Sequence, residues 1–509
     1  MPPSIQLNGQ KIAGLLDSAR SPRRKSTARS SSNPSSSTSS SSAASTSSAA
    51  ATPQQSAAPP SPPPRIEITV SQSISEIPAA EWDALVRAQK EYNPCVSHAF
   101  LNALEASGSA APSRGWLPHH LVAREVDSRR LVGAAPLYLK GHSRGEYVFD
   151  QGWADASHRM GVAYYPKAVG AVPMTPVSGP RLLAVDIPAA SRDGSRAGAS
   201  SSPPPPAAAP AAIADSVRLS LADALVELST SGDAGGRVSG AHVLFCSEDD
   251  AAALAATGSF KQRLGLQYHW FNSGPPSPPS TGDEQQSGGE SSRLYSSFED
   301  FLAALRQSKR KLVRQERKRA LSSSSAAAPF LSVSRVRGTD LRSDELAAFY
   351  GYYVDTCERR WGEDYLTESF FARLGENPDV LLVLASEPAT TEVEARRSKA
   401  AEEDGLRARR VIKTAPGPSS SSSPRAPPPP EAIFPPFTPF GPRGRALAGA
   451  LNLVGSHALF GRNWGCDPRV RDVPFLHFEL SYYQAIEAAI EARLPRVEAG
   501  AQGEHKIAR

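Results

Sequence analysis

The sequence predicts an α/β protein in which two successive blocks of strands and helices each form a mixed sheet. Three observations predict it. Short runs with two-residue alternation, such as RIEITV, mix with runs at helical spacing, such as SLADALVELST. That mixture occurs twice, over residues 65–272 and again over 293–509. Around and inside the blocks lie Ser-, Ala- and Pro-rich stretches with too few large apolar side chains to bury a core.

The chain has 509 residues, enough for about three domains of ordinary size, but 46 prolines and 37 glycines reduce the count to two. Residues 1–64 form a leader, 273–292 a linker, and 187–212, 321–328 and 387–440 are expected to be disordered insertions. The net charge of +5 is concentrated at the start, where residues 1–65 carry seven basic side chains against Asp17 alone. The remainder is close to neutral, so the basic total does not indicate a general nucleic-acid-binding surface. A leader rich in Ser, Ala and Arg and nearly free of acid has the composition of a transit peptide for a chloroplast or mitochondrion. Read as a plain disordered tail, it leaves the protein cytoplasmic. No apolar run is long enough to cross a bilayer, so a soluble protein without a membrane span is expected.

The first block is expected to open with the strand RIEITV and the helices IPAAEWDALV and SHAFLNALEASG. The runs HHLVARE and RLVGAAPLYLK read as a β-hairpin turning at VDSR. EYVFD reads as a further strand, SLADALVELST as a helix, and AHVLFCS and GLQYHWFNS as strands. In the second block 298–321 reads as one helix and FLSVSRV as a strand, followed by the helices DELAAFYGYYVDTCERR and TESFFARL. Next come the strands DVLLVLAS, ALAGALNLVG and HALFGRNWG, the helix 475–494, and a last strand at RVEAG. The insertion 387–440 separates DVLLVLAS from ALAGALNLVG without forbidding their pairing, because loop-closure entropy grows only logarithmically with length.

Four clusters carry side chains suited to chemistry. Residues 142–183 place Trp153, Tyr164, Tyr165, Lys167 and Arg181 among Gly and Pro, as a ligand groove on surface loops requires; the alternative is that the aromatics anchor the core. The run SKRKLVRQERKR includes Arg310, Lys311 and Arg314 on a helix that suits a phosphate-rich ligand, or is a solvated basic face. Glu479 falls among the apolar positions of helix 475–494. There it is either a general base with a raised pKa or the partner of an arginine. The fourth cluster is the terminal VEAGAQGEHKIAR, a strand running into a Gly-containing turn with Glu498, Gln502, Glu504, His505 and Lys506. The YYPK and AQGEHK segments are expected to meet in one cleft.

Cys95, Cys246, Cys357 and Cys466 are scattered, with neither a disulfide framework nor zinc-ligand spacing, and no metal site is expected. No nucleophile elbow, P-loop, dinucleotide fingerprint or HExxH occurs.

These motifs resemble a known family. GEYVFDQGWADASHRMGVAYYPKAVGAVPMTPVSGPRLL, LQYHWFN, SKRKLVRQERKR and YLTESFFARL are similar to segments of the FemAB-like family of N-acyltransferases, labelled peptidoglycan biosynthesis/recognition. So are LFGRNWGCDPRVRDVPFLHFELSYYQAIEAAI and VEAGAQGEHKIAR, in the same order. The similarity runs from about Trp82 to Arg509 outside the low-complexity inserts. It implies two tandem GNAT-like domains and transfer of an acyl or aminoacyl group to an amine on a small molecule or peptide. It also raises the phosphate-recognition reading of the basic helix, through which tRNA would bind. The glycine-rich acyl-CoA fingerprint of ordinary GNAT enzymes is absent. No bound cofactor is expected, and acyl-CoA and aminoacyl-tRNA both stand as donor substrates. Members of the family continue past the EHKIAR motif, so the chain is expected to be truncated at its C-terminus.

Such a transfer needs a base for the amine, supplied by Glu479, Glu498, Glu504 or His505. It also needs groups that bind substrate and stabilise charge, for which Trp153, Tyr164, Tyr165, Lys167, Arg181, Arg462, Gln502 and Lys506 are candidates. A non-catalytic protein that binds a glycan, peptide or RNA in the same groove is the alternative.

Overall fold

A computed structural model describes residues 65–185, 211–230, 238–274, 293–321, 331–387 and 444–500. The first strand, β1 (Ile66–Ser71), pairs antiparallel with β3 (His120–Glu125), β3 with β4 (Leu131–Ala135), and β4 with β7 (Leu183–Ala184). A second sheet runs β2 (Trp116–Pro118), β5 (Leu137–Lys140), β6 (Lys167–Gly170), β8 (Ala241–Val243), with β6 and β8 parallel. The expected hairpin 120–140 is present, divided between the two sheets at Pro136. Proline has no N–H for the ladder, so β4 ends there and β5 opens the next sheet.

Alternation decides which layer each strand residue joins. Val122, Leu131 and Ala134 face α1 (Ala79–Arg87) and α2 (His98–Ala106), whose Trp82, Leu85, Phe100 and Leu104 are buried. Leu121, Ala123, Val132 and Ala135 face Val217, Leu221 and Leu225 of α4 (Ala211–Thr230). Ser247 and Asp250 form a capping box at the start of α5 (Glu248–Ala256).

The second half is one six-stranded sheet of order β10 (Ser332–Arg337), β11 (Val380–Glu387), β12 (Arg445–Val454), β13 (Ala458–Cys466), β14 (Arg496–Glu498), β9 (His269–Phe271). The strands β11 and β12, which cover most of DVLLVLAS and ALAGALNLVG, pair along eight positions despite the insertion between them. The strand expected in GLQYHWFNS therefore pairs with β14 in the later sheet rather than within 65–272. Its flanking backbone joins in, since the N–H of Tyr268 donates to Gly500 and that of Ala499 to Tyr268.

Helices α8 (Ser343–Trp361) and α9 (Glu368–Leu374) cover one face, and their Phe349, Phe370 and Phe371 join the same cluster as Trp82 and Phe100. Phe100 and Phe370 meet edge to face at 5.7 Å. The two halves thus share one apolar core. No helix among the described residues is long and apolar enough to cross a membrane.

Three local expectations are corrected. EYVFD is a bent loop, with Tyr147 and Phe149 at φ of 61° and 49°, values outside the strand region. It leads into a helix, α3 (Gln151–Arg159), where only loop was expected. The helix 298–321 is two helices, α6 (Phe298–Ala304) and α7 (Gln307–Leu321), divided at Leu305, which is extended at ψ 153°. The last long helix, α10, opens at Leu476–Phe478, widens to a π-turn at Glu479–Tyr483 and closes as Gln484–Glu491.

Candidate active site

The strands β13 and β14 are parallel neighbours for only three residues, Ala458–Phe460 against Arg496–Glu498. Beyond Phe460, β13 continues along β12, while its other side has no sheet partner among the described residues. The result is a notch, one wall of which is the side of β13 that has no sheet partner among the described residues. A bulge widens it, because Arg462 and Asn463 together oppose the single residue Leu451. Bulges of this kind re-aim side chains and are common beside active sites. Gly461 keeps the wall thin, since a Cβ there would lie 3.2 Å from the carbonyl oxygen of Glu498. The Asn463 Oδ1 atom is buried without a hydrogen-bond partner among the described residues.

Glu498 ends β14 at the mouth of this notch and is only 2% exposed. Its Oε1 accepts from Arg496 Nε at 3.2 Å and its Oε2 from the Ser178 N–H at 3.4 Å. His269 Nε2 lies 4.0 Å from Oε2. Burial raises the Glu498 carboxyl above its ordinary value, and Arg496 and the Ser178 amide only partly oppose it. A carboxylate so placed holds a proton more strongly than one in water, as a base acting near neutral pH requires.

The loop 172–179 leaves the C-terminal end of β6 and crosses to this notch. Arg462 donates to the carbonyl of Met174 at 2.6 Å and to Thr175 Oγ1 at 2.8 Å. Met174 is held at φ 52°. Gln267 fixes the loop from the other side: its Oε1 accepts from Ser178 Oγ at 2.9 Å and its Nε2 donates to the Pro176 carbonyl at 3.1 Å. Arg181 braces the base of the loop. Fully buried, it donates to the carbonyls of Val177, Gly179, Pro180 and Leu244. Cys95, in the field of Arg462 and Arg181, has its thiol pushed up to about 12 by burial, which favours the neutral thiol.

Lys167 opens β6 at the far end of the strand from loop 172–179. Its ammonium donates to Ser143 Oγ at 2.9 Å, to Glu146 Oε2 at 2.8 Å and to Asp150 Oδ2. Tyr164 and Tyr165 stand over it, with Tyr164 donating to Asp150 Oδ2 at 2.7 Å. Burial pushes the Asp150 carboxyl up, but hydrogen bonds from Lys167, Ser143 and Tyr164 outweigh it and hold the group at about 2. The Lys167 cluster adjoins the notch through backbone. Gly145, next to Glu146, accepts from the Met174 N–H, and the Met174 carbonyl in turn accepts from Arg462.

Two other expected residues lie elsewhere. Glu479 sits in the π-turn of α10, where Arg317 donates to both of its oxygens at 3.0–3.2 Å and Gln484 donates at 2.8 Å. That is the arginine pairing, and no free base faces the notch there. Trp153 is 67% exposed on α3. The basic helix α7 is partly consumed by structure. Arg310 donates to the carbonyls of Leu302, Ala303 and Leu305 that end α6, and Arg314 pairs with Glu299 at 2.5 Å. Lys311 is exposed. Gln502, Glu504, His505 and Lys506 lie outside the described residues, as does the AQGEHK half of the expected shared cleft.

A model of the FemAB-like family, described as peptidoglycan biosynthesis/recognition, matches residues 73–196, 286–395 and 441–509, more than half of the chain. The chain belongs to the FemAB-like family. Both walls of the notch, and the loop 172–179 that crosses it, fall inside the matched segments. No curated protein matches the chain. Among solved structures it is similar to that of FemX, at 13% identity and a TM-score of 0.39, over 84% of this chain and 88% of that one. It is also similar to a tandem GNAT protein from the clavulanic acid biosynthesis pathway, at 11% identity and a TM-score of 0.32, over 87% and 92%. Both scores are too low to carry an argument about chemistry.

In this FemAB-like chain, sequence reasoning missed Glu146, Ser178, Gln267, His269 and Asn463. Glu146 lay in a run read as a strand. Ser178, Gln267 and His269 are single polar residues whose partners lie up to 320 positions away, as with Ser178 and Glu498, and Asn463 is placed by a bulge that its own segment does not reveal.

Proposed function

We propose that the protein is a transferase that passes an acyl or aminoacyl group to an amine in the notch between β13 and β14. The observation that carries this reading is the buried Glu498 at the point where the two strands part, its proton affinity raised by burial. Glu498 takes the proton from the attacking amine as its nitrogen bonds to the donor carbonyl. On collapse of the tetrahedral intermediate the C–S bond to CoA or the C–O bond to the tRNA ribose breaks, and the thiol or hydroxyl leaves with the proton that Glu498 returns. Backbone N–H groups on the unpaired side of β13 stabilise the oxyanion that forms on the donor carbonyl. Arg462 positions the loop 172–179 over the reacting atoms.

The donor is an acyl-CoA or an aminoacyl-tRNA. With Arg310 engaged at the end of α6 and Arg314 paired with Glu299 on the surface, a phosphate-rich donor would meet Lys311 and its exposed neighbours on α7. The peptidoglycan label of the family suggests an amine on a peptide or aminosugar as acceptor.

The test is turnover of labelled acetyl-CoA and, separately, alanyl-tRNA with a panel of amines, for the wild type and Glu498→Gln. Loss of a general base lowers turnover by about 10²–10⁴-fold while the fold persists. Equal turnover in the variant removes Glu498 from the mechanism. Binding of either donor without any turnover by the wild type favours the non-catalytic alternative.

A further inference from the structure

Transfer to an amine in the notch has one proton to remove before it can start. An aliphatic amine is an ammonium near neutral pH, because it holds its proton about as strongly as a lysine side chain does. An ammonium has no lone pair with which to attack a carbonyl. Glu498 takes a proton during the attack and returns it to the leaving group, so the proton lost earlier needs a second acceptor.

His269 stands beside Glu498. The two are directly opposite in the pairing of β9 with β14, which puts both side chains on one face of the sheet. The Nε2 atom of His269 lies 4.0 Å from Glu498 Oε2 and 3.2 Å from Gln267 Oε1. The orientation of the Gln267 amide is fixed, because its Nε2 donates to the Pro176 carbonyl at 3.1 Å. Its oxygen therefore faces the ring. An amide oxygen only accepts, so His269 Nε2 carries a hydrogen. The lone pair of the neutral ring is then at Nδ1, which has no hydrogen-bond partner among the described residues. The charged groups facing the ring are Glu498 and Arg496, both from β14. Burial and the Arg496 charge lower the His269 value, so the ring is neutral near pH 7 and free to accept. The side chain is 19% exposed, and Phe271, two residues along the same face, is 61% exposed. The ring thus has access to water on the side from which an acceptor would come.

We propose that His269 deprotonates the acceptor, taking a proton from its ammonium group at Nδ1 before the amine reaches Glu498. The N–H bond breaks, its electron pair stays on nitrogen as the attacking lone pair, and the imidazolium passes the proton to water. The acceptor is accordingly an aliphatic amine that arrives charged, not a weakly basic nitrogen. That role rests on the transferase reading.

The test compares n-butylamine, an ammonium at neutral pH, with methoxyamine, which is uncharged there. The donor is acetyl-CoA or alanyl-tRNA, whichever the wild type uses. In His269→Asn, kcat/KM for n-butylamine should fall by about 10²-fold more than that for methoxyamine, the low end for a lost proton acceptor. The extra loss should shrink as pH rises towards the amine's own value, where solution supplies the free base. Glu498→Gln should slow both amines. Should His269→Asn fail to fold, the wild type decides between about pH 5 and 8, where histidine titrates. There n-butylamine should lose kcat/KM with two protons and methoxyamine with one, because only the charged acceptor needs His269. Equal losses for both amines in folded His269→Asn, or the same proton count for both in the wild type, overturn the proposal and leave the transferase reading standing. Turnover of neither amine by the wild type overturns the proposal as well, and the transferase reading falls with it only if no other amine is acylated.

Discussion

Replacing Arg462 by Met should release the loop 172–179 from the notch without unfolding the rest of the chain. The guanidinium makes two hydrogen bonds to this loop, at 2.6 Å to the Met174 carbonyl and 2.8 Å to Thr175 Oγ1. A hydrogen bond from a charged donor contributes roughly 1.5–3 kcal/mol, so the pair holds the loop by about 3–4 kcal/mol when both are taken near the low end. Part of that opposes strain: a non-glycine residue at positive φ, as Met174 is at 52°, costs about 1 kcal/mol, which the freed loop recovers. The net loss is about 2–3 kcal/mol of resistance to local opening, or roughly 30- to 150-fold at 1.4 kcal/mol per decade. Hydrogen exchange measures this directly. The N–H groups of Thr175 and Val177 are hydrogen-bonded inside the loop and that of Met174 to the carbonyl of Gly145, and all three should exchange faster by that factor in Arg462→Met. Amides of β11, buried in the middle of the shared core, should keep their rates. Unchanged exchange in the loop refutes the tether, and equal acceleration everywhere shows that Arg462 supports the global fold instead.

Two further outcomes follow from individual side chains. Because burial raises the Glu498 carboxyl above its usual 4.5, its contribution to stability is full below that value and is lost as pH rises through the folded-state value. Glu498→Gln should therefore gain thermal stability relative to the wild type as pH is raised from 4.5 towards neutrality, and a constant difference across that range contradicts the shift. On α7, Arg310→Ala should cost about 1.5–3 kcal/mol in denaturant unfolding, since it removes a donor from the carbonyls of Ala303 and Leu305 and one of the two donors to that of Leu302. Lys311→Ala, at an exposed position, should stay within about 0.5 kcal/mol, and equal costs for the two would mean that Arg310 caps nothing.

The sequence by itself determined the elements whose physics is local. Two-residue alternation identified β1, a turn-joined pair of runs identified β3, a short apolar run identified β11, and helical spacing identified α1, α2 and α8, because these signals lie within each element's own sequence. Composition likewise separated the low-complexity stretches from the blocks that could bury a core. Glu498 was legible as a candidate because it lies on a strand running into a Gly-containing turn, where ligands usually sit in α/β sheets. What only the tertiary structure decided is which of the candidate charges are free to act. Arg181, Arg310 and Glu479 looked like site residues by type, yet each is occupied by neighbours that its own segment does not reveal. Glu479 meets Arg317 across 162 positions, and Arg462 meets Thr175 across 287. The same holds for β9, whose sequence shows a strand and whose sheet was fixed by pairing with β14 more than 220 residues later. Hydrogen bonds and desolvation depend on what packs against a group in space, and a chain read in order carries no measure of that distance.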